Sequence, residues 1–223
     1  MPATAKQSSS TTRVRVLVVG ATGLVGSSFV SRWQPHNPGD ALHILGRRDA
    51  DAPDGATVHV ASIEDWPGVI ASIAPDIVLC ALGTTIAKAG SRNAFRAVDL
   101  ELVADVAAAA KHAGTRQFIL ISSTMANAKA SGFYLRTKGE AEAAVEAQHF
   151  DRLDIIRPGL LRGDREEFRA GERLAILLSP LVDRLMQGSL RKYRSVAVDT
   201  VADTALALLD ATVSGKFIHD TLT

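Results

Sequence analysis

The sequence predicts an α/β protein built on a doubly wound parallel sheet, and three observations carry that reading. Apolar strand-like runs alternate along the chain with segments of helical period. The glycine-rich run Gly20-Ala21-Thr22-Gly23-Leu24-Val25-Gly26 directly follows the apolar, β-branched segment 14–19 and opens a helix. The chain is 223 residues long and 47% hydrophobic, enough to bury a large core.

In chain order, strands are expected near residues 14–20, 41–46, 57–60, 76–81, 116–122 and 152–157. Helices are expected near 24–34, 64–73, 93–113 and 134–148, with a last one near 199–211. Segment 160–198 breaks this rhythm with charged residues, Pro180, Gly163, Gly171 and Gly188, and is assigned to a small C-terminal substrate lobe. Residues 1–12 are rich in Ser and Thr and lack acidic residues, so a disordered tail is expected ahead of one domain over 13–223. The tail has no apolar block of the roughly seven to fifteen residues that a secretory signal needs, and although its composition resembles a transit peptide, it is short and shows no arginine-rich amphipathic pattern before Arg13.

Each glycine of the run has a physical reason to be there. Gly20 permits a tight turn off the strand, Gly23 lets phosphates approach the main chain, and Gly26 lets the first helix pack closely on the sheet. Bare backbone amides then face a pyrophosphate with the positive end of the helix dipole behind them, the arrangement of a Rossmann-type dinucleotide site. The spacing is G-x-x-G-x-x-G rather than G-x-G-x-x-G, and a plain strand-to-helix turn would show it too. The second strand, 41–46, ends in Arg47-Arg48. An arginine there suits a ribose 2′-phosphate through charge and a bidentate fork, so NADP(H) is favoured over NAD(H). Asp49 and Asp51 lie nearby, and two solvated surface arginines would read the same way.

Chemistry is expected at Tyr134-Leu135-Arg136-Thr137-Lys138. Residues four apart on a helix share a face, so the Lys138 ammonium can approach the Tyr134 hydroxyl and favour its phenolate, as a general acid/base requires. The apolar strand before Ser122-Ser123-Thr124 places hydroxyls at the carboxyl end of a sheet, where ligands bind in open α/β folds. Ser123 is the candidate to orient a substrate oxygen and Ser122 a neighbour to cofactor or substrate, although all three residues are also ordinary turn and capping types.

Composition excludes other classes. With 25 basic and 24 acidic residues and 5% aromatics, no basic tract or aromatic cluster marks a nucleic-acid binder. No segment reaches the roughly 18–20 continuous apolar residues of a membrane span. The single cysteine, Cys80, sits in an apolar run and cannot form an internal disulfide, which suits a buried, inert thiol and a reducing, cytoplasmic location. His36, His43, His59, His112, His149 and His219 show no metal-ligand spacing, so no metal is expected. Asp164, Glu166 and Glu167 can border a substrate or form a solvated charge run. The alanine-rich stretch 102–113 and the helix from Tyr134 can serve a homodimer face or internal packing.

Together the motifs G-A-T-G-L-V-G, Ile121-Ser122-Ser123, Tyr134 with Lys138, and Arg157-Pro158-Gly159 resemble the short-chain dehydrogenase/reductase superfamily, in its atypical or extended branch. The resemblance covers nearly the whole chain from Arg13. Ala81-Leu82-Gly83-Thr84-Thr85, Lys88-Ala89-Gly90 and Lys138-Gly139-Glu140-Ala141-Glu142 resemble signature stretches of its Tat-interacting-protein-like oxidoreductase subgroup. The likeness implies NADPH binding, with Ser123, Tyr134 and Lys138 as the catalytic serine, tyrosine and lysine. It implies that Gly20, Thr22, Gly23, Leu24 and Val25 cradle the pyrophosphate, that Arg47 and Arg48 meet the adenosine phosphate, and that Ala81, Leu82 and Gly83 line the adenine ribose. Pro158, Gly159 and Leu160 would lie by the nicotinamide. The third strand lacks the aspartate that often meets adenine, so that contact would fall to Ser62 or the main chain. The activity implied is hydride transfer to or from a small carbonyl or hydroxyl substrate. Two alternatives stand beside it: an NADPH-sensing regulator without turnover, and an epimerase or dehydratase that retains its nucleotide.

Overall fold

The computed structural model describes residues 13–162 and 195–220. The expected N-terminal tail, the greater part of the expected lobe, and Asp164, Glu166 and Glu167 lie outside the described residues. Seven strands form one sheet: β1 (Arg15–Val19), β2 (Ala41–Gly46), β3 (Thr57–Val60), β4 (Ile77–Cys80), β5 (Gln117–Ile121), β6 (Arg152–Ile156) and β9 (Gly215–His219). Their order is β3-β2-β1-β4-β5-β6-β9, and every neighbouring pair is parallel. The remaining short strands, β7 (Leu161–Arg162) and β8 (Val196–Ala197), pair in parallel with each other.

Helices cover both faces, as a parallel sheet requires. On one face lie α2 (Trp66–Ile73), α5 (Leu102–His112) and α6 (Phe133–Glu146), over a core that includes Leu17, Val78, Phe118 and Ile155. On the other, α1 (Leu24–Arg32) packs beside α7 (Val198–Ala207) over Val16, Val18, Ile119 and Ile156. Val103, Val106, Ala107 and Ala110 of α5 are buried in the first core, so much of the alanine-rich stretch serves internal packing. Strands β4 and β5 bury every residue, which explains their continuous apolar runs.

The expected strands and helices are present, with one helix divided and, besides the β7–β8 pair, a one-turn helix and a seventh sheet strand added. The single helix expected over 93–113 is three segments: α4 (Arg92–Arg96), a π-helical stretch Ala97–Glu101 and then α5, preceded by the one-turn α3 (Ile86–Ala89). Thr85 and Ser91 cap α3 and α4 by accepting from the Lys88 and Ala94 amides. The other addition is β9, which extends the sheet at its β6 edge.

A buried ionic cluster ties β9 in place. The Asp154 carboxylate, wholly buried on β6, accepts from Arg152 Nε at 2.7 Å and Nη2 at 2.8 Å and from Gln117 Nε2 at 3.0 Å. His219 Nε2 on β9 lies 2.9 Å from Oδ1, the oxygen that Arg152 Nη2 also reaches. Burial alone would raise the carboxyl's pKa, but hydrogen bonds from His219, Arg152 and Gln117, with the Arg152 charge, together hold it below the usual range.

The sheet positions the site through its strand order. The chain runs outward from β1 to β2 and β3, then crosses back to β4 on the other side of β1. The loops leaving β1 and β4 therefore diverge, and a crevice opens at the carboxyl ends of these strands.

Candidate cofactor and active site

The β1 loop is built for close backbone approach. Gly20 has φ +88°, and a Cβ there would stand 2.5 Å from the Ala81 carbonyl oxygen. Only glycine accepts both conditions. A Cβ on Gly26 would stand 2.3 Å from the Gly20 oxygen and 2.8 Å from Ala21 Cα. The absent side chain thus seats the first turn of α1 on the β1 turn itself, where the sequence suggested contact with the sheet. The Gly23 amide donates to the Gly20 oxygen at 2.9 Å and closes the turn. Gly23 caps α1 without a side-chain acceptor, so the first-turn amides of Leu24, Val25 and Gly26 have no partner within the helix. Such amides at a helix N-terminus are donors of the kind that suits an anion.

Beside this loop a cavity of about 100 Å³ is lined by Gly20, Thr22, Gly46, Arg47, Arg48, Ile63, Trp66 and Leu82, among others. Arg47 and Arg48 are exposed, and among the described residues neither has an ion-pair or hydrogen-bond partner. Asp49, which the sequence left as a competitor, accepts from the Ala50 amide, and with Asp51 lines an adjoining cleft against α1 that shares Ala21, Thr22 and Ala50 with the small cavity. Ser62 does not line the small cavity. Its hydroxyl donates to Asp65 at 2.8 Å at the start of a 3₁₀ turn, while Ile63 and Trp66 supply the wall there.

At the other end of the crevice, α6 meets the helix that follows β4 in matched turns. The Tyr134 ring lies 5.6 Å from the Phe95 ring, and one turn further on Lys138 Nζ lies 2.8 Å from Asp99 Oδ1. Arg96 and Glu140 add an outer ion pair. Tyr134 is 36% exposed, whereas Lys138 and Asp99 are both buried. Tyr134 and Lys138 thus share one face, as their spacing predicts, but the charge partner of Lys138 is Asp99. The second oxygen of Asp99 accepts from the Thr84 amide at 2.8 Å, pinning the loop after β4. Burial raises the pKa of the Asp99 carboxyl above its usual range, outweighing the Lys138 charge and the hydrogen bonds from Lys138 and Thr84.

The two serines after β5 separate. Ser122 is buried and donates to Glu142 Oε1, which also accepts from Arg157 Nε at 2.9 Å. Its hydroxyl is committed to this internal network. Ser123 makes only a 3.3 Å bond to the Thr124 carbonyl. Its own carbonyl accepts from Ala126 in a turn that holds Met125 at φ +62°. Thr124 donates to the Pro158 carbonyl, so the loops after β5 and β6 are joined; Pro158 is buried, Gly159 half-buried and Leu160 exposed. Gly139 completes the arrangement, because a Cβ there would overlap the main chain of Asn127 and Ala128. Burial pushes the Cys80 thiol up to about 12, which agrees with an inert residue.

Asp99 and the Glu142–Arg157 pair were not singled out by sequence reasoning. Asp99 had a signal: Phe95, Asp99, Leu102, Val106 and Ala110 fall on one buried helical stripe, and an acid inside such a stripe needs an internal partner.

A crevice at the switch point of a parallel sheet, opening on a glycine turn, is the place where such folds take a nucleotide. The chain belongs to the NAD dependent epimerase/dehydratase family, whose model matches residues 16–147. Among its relatives, the mitochondrial protein fmp52 of Emericella nidulans is 34% identical over 192 residues, covering 82% of this chain and 79% of that protein. Protein HTATIP2 of Rattus norvegicus is 37% identical over 165 residues, covering 72% of this chain and 68% of that protein. These matches agree with the resemblance drawn from the motifs. Among solved structures, the Bordetella bronchiseptica enzyme WbmH in complex with NAD+ superposes with TM-score 0.68 at 15% identity, over 94% of this chain and 76% of that one. A dTDP-4-dehydrorhamnose reductase from Bacillus anthracis in complex with NADP gives 0.63 at 14% identity, over 94% and 75%. At such identities the likeness shows the Rossmann-like fold. The expected cytoplasmic location is corrected by the relatives, since fmp52 proteins 33–36% identical to this chain are named mitochondrial.

Proposed function

We propose that the protein is an NADP(H)-dependent oxidoreductase that acts on a small carbonyl or hydroxyl compound. The observation that carries the reading is the shared face of Tyr134 and Lys138, set against Phe95 and Asp99 at the opposite end of a crevice that begins in bare helix amides. A bound nicotinamide dinucleotide supplies the hydride donor or acceptor.

The glycine loop with Leu24, Val25 and Gly26 holds the pyrophosphate, and unpaired Arg47 and Arg48 hold a 2′-phosphate. Ala81, Leu82 and Gly83 line the ribose beside them, and Pro158, Gly159 and Leu160 border the nicotinamide. Tyr134 gives or takes the proton of the substrate oxygen, and Ser123, whose hydroxyl is weakly engaged, orients that oxygen. Lys138, one turn beyond Tyr134 on the same face of α6, holds the nicotinamide ribose. Ser122 supports the site from beneath through Glu142. The naming of the relatives supports a mitochondrial location, which fractionation of a tagged chain would check.

The test is Tyr134→Phe. It should keep NADPH binding and lower the turnover of carbonyl compounds that the protein reduces by about 10²–10⁴, the range for a lost acid/base. Unchanged turnover would remove Tyr134 from the chemistry. The family favours one second reading, an epimerase or dehydratase. Purified protein carrying tightly held nucleotide, with conversion of substrate but no net NADPH consumption, would establish it.

A further inference from the structure

Asp99 holds two parts of the site at once. Its Oδ1 pairs with Lys138 Nζ at 2.8 Å and its Oδ2 accepts from the Thr84 amide at 2.8 Å. The Gly83 backbone lies directly over the pair, since a Cβ there would stand 3.4 Å from Asp99 Oδ1 and 3.6 Å from Lys138 Nζ. The carboxylate sits on the π-helical stretch Ala97–Glu101, whose changed winding interrupts the helix between α4 and α5. Both side chains are nearly sealed from water, 8% exposed for Lys138 and 0% for Asp99.

A buried ammonium without a counter-charge gives up its proton more readily. Among the described residues, the other ionisable groups around Lys138 offer no substitute. Cys80 at the end of β4 is held in its neutral form by burial, the Tyr134 ring one turn before lies tilted against Phe95, and Glu142 one turn after is already matched by Arg157. Glu140 on the same helix is paired with Arg96.

We infer that Asp99 is a positioning residue that keeps Lys138 charged and fixed beneath the loop after β4, so that the lysine can serve the nicotinamide half of the cofactor. The inference rests on the reading that Lys138 serves the cofactor. It assigns Asp99 no contact with substrate.

The experiment measures binding of NADPH and of 2′,5′-ADP, which carries only the adenosine half, to the full chain at pH 7.5 and pH 9. The proteins are wild type, Asp99→Asn, Lys138→Met and the double variant. Asparagine keeps an acceptor for Thr84 but removes the charge. Wild type should hold NADPH equally well, to within about twofold, at both pH values, whereas Asp99→Asn should lose about tenfold at the higher one. Binding of 2′,5′-ADP should stay the same in all four. The double variant should match Lys138→Met in NADPH affinity, because Asp99 acts only through the lysine. That comparison also decides the matter if Asp99→Asn alone does not fold, since removing both charges leaves none unpaired. The inference is overturned if Asp99→Asn follows wild type at both pH values, if the two ligands weaken together, or if the double variant loses more than Lys138→Met. Should Lys138→Met itself bind NADPH normally, the reading beneath falls and takes the inference with it. A loss in Lys138→Met with none in Asp99→Asn sinks the inference alone.

Discussion

The two ends of the crevice treat charge in opposite ways. At the β2 end, Arg47 and Arg48 stand in water without partners among the described residues, beside helix amides that also lack acceptors within α1. At the β5 and β6 end, Asp99 with Lys138 and Glu142 with Arg157 are paired inside the protein before any ligand arrives. Water can carry a lone cation at little cost, but a buried one must be matched. The open end is therefore suited to capture an anion from solution, and the closed end to hold a fixed geometry. Binding strength and chemical competence should accordingly separate by mutation.

The largest effects fall where backbone meets backbone. Gly26→Ala places a Cβ 2.3 Å from the Gly20 oxygen and Gly139→Ala places one 2.1 Å from the Ala128 nitrogen, contacts that neither main chain can relieve locally. Each should cost about 3 kcal/mol or more in denaturant titration. If both fold, only Gly26→Ala should weaken 2′,5′-ADP, and a weakened Gly139→Ala would blur the division between the ends.

Asp154→Asn comes next and lies outside the crevice. It leaves the Arg152 guanidinium, 8% exposed, without its counter-charge, and should destabilise the fold by about 3–5 kcal/mol. Nucleotide affinity of the folded fraction should not change. The native carboxyl titrates below its unfolded value, so its contribution is complete above the ordinary carboxylate range near pH ~4 and is lost as pH falls through the lowered value. Acid unfolding followed by circular dichroism should show that loss in wild type and not in Asp154→Asn.

A smaller effect tests the open end alone. Replacing Arg47 and Arg48 with alanine removes charge-assisted bonds worth about 1.5–3 kcal/mol to a phosphate, so NADPH affinity should fall by roughly tenfold or more while NADH affinity stays put. Smallest of all, Ser62→Ala should change NADPH affinity by less than about twofold, because exposed polar trimming away from a contact is near neutral. Its hydroxyl already serves Asp65.

The sheet from β1 to β6 was legible because strands covered on both faces must be apolar, and runs such as Ile77-Val78-Leu79-Cys80 admit few other readings. Strand β9 was not, since Gly215-Lys216-Phe217-Ile218-His219 lies at an edge, half exposed, and carries no apolar run. The glycine loop, Arg47 with Arg48, and Tyr134 with Lys138 were visible as motifs, because their chemistry depends on local spacing. Asp99 escaped because its meaning is tertiary: its place on the apolar stripe with Phe95 and Leu102 marks an acid in need of a partner, but only the approach of α6 makes that partner Lys138. For the same reason Ser122 and Ser123, adjacent in sequence and equal in type, could not be ranked firmly until Glu142 was seen to engage one of them.

Titration calorimetry of the full chain with NADPH and with NADH bears most directly on the account, because it reads the open end without requiring a substrate. The account predicts that both bind and that NADPH is tighter by about tenfold or more, a preference that charge-assisted contacts to one phosphate can supply. Equal affinities, tighter NADH, or no heat with either nucleotide would contradict it.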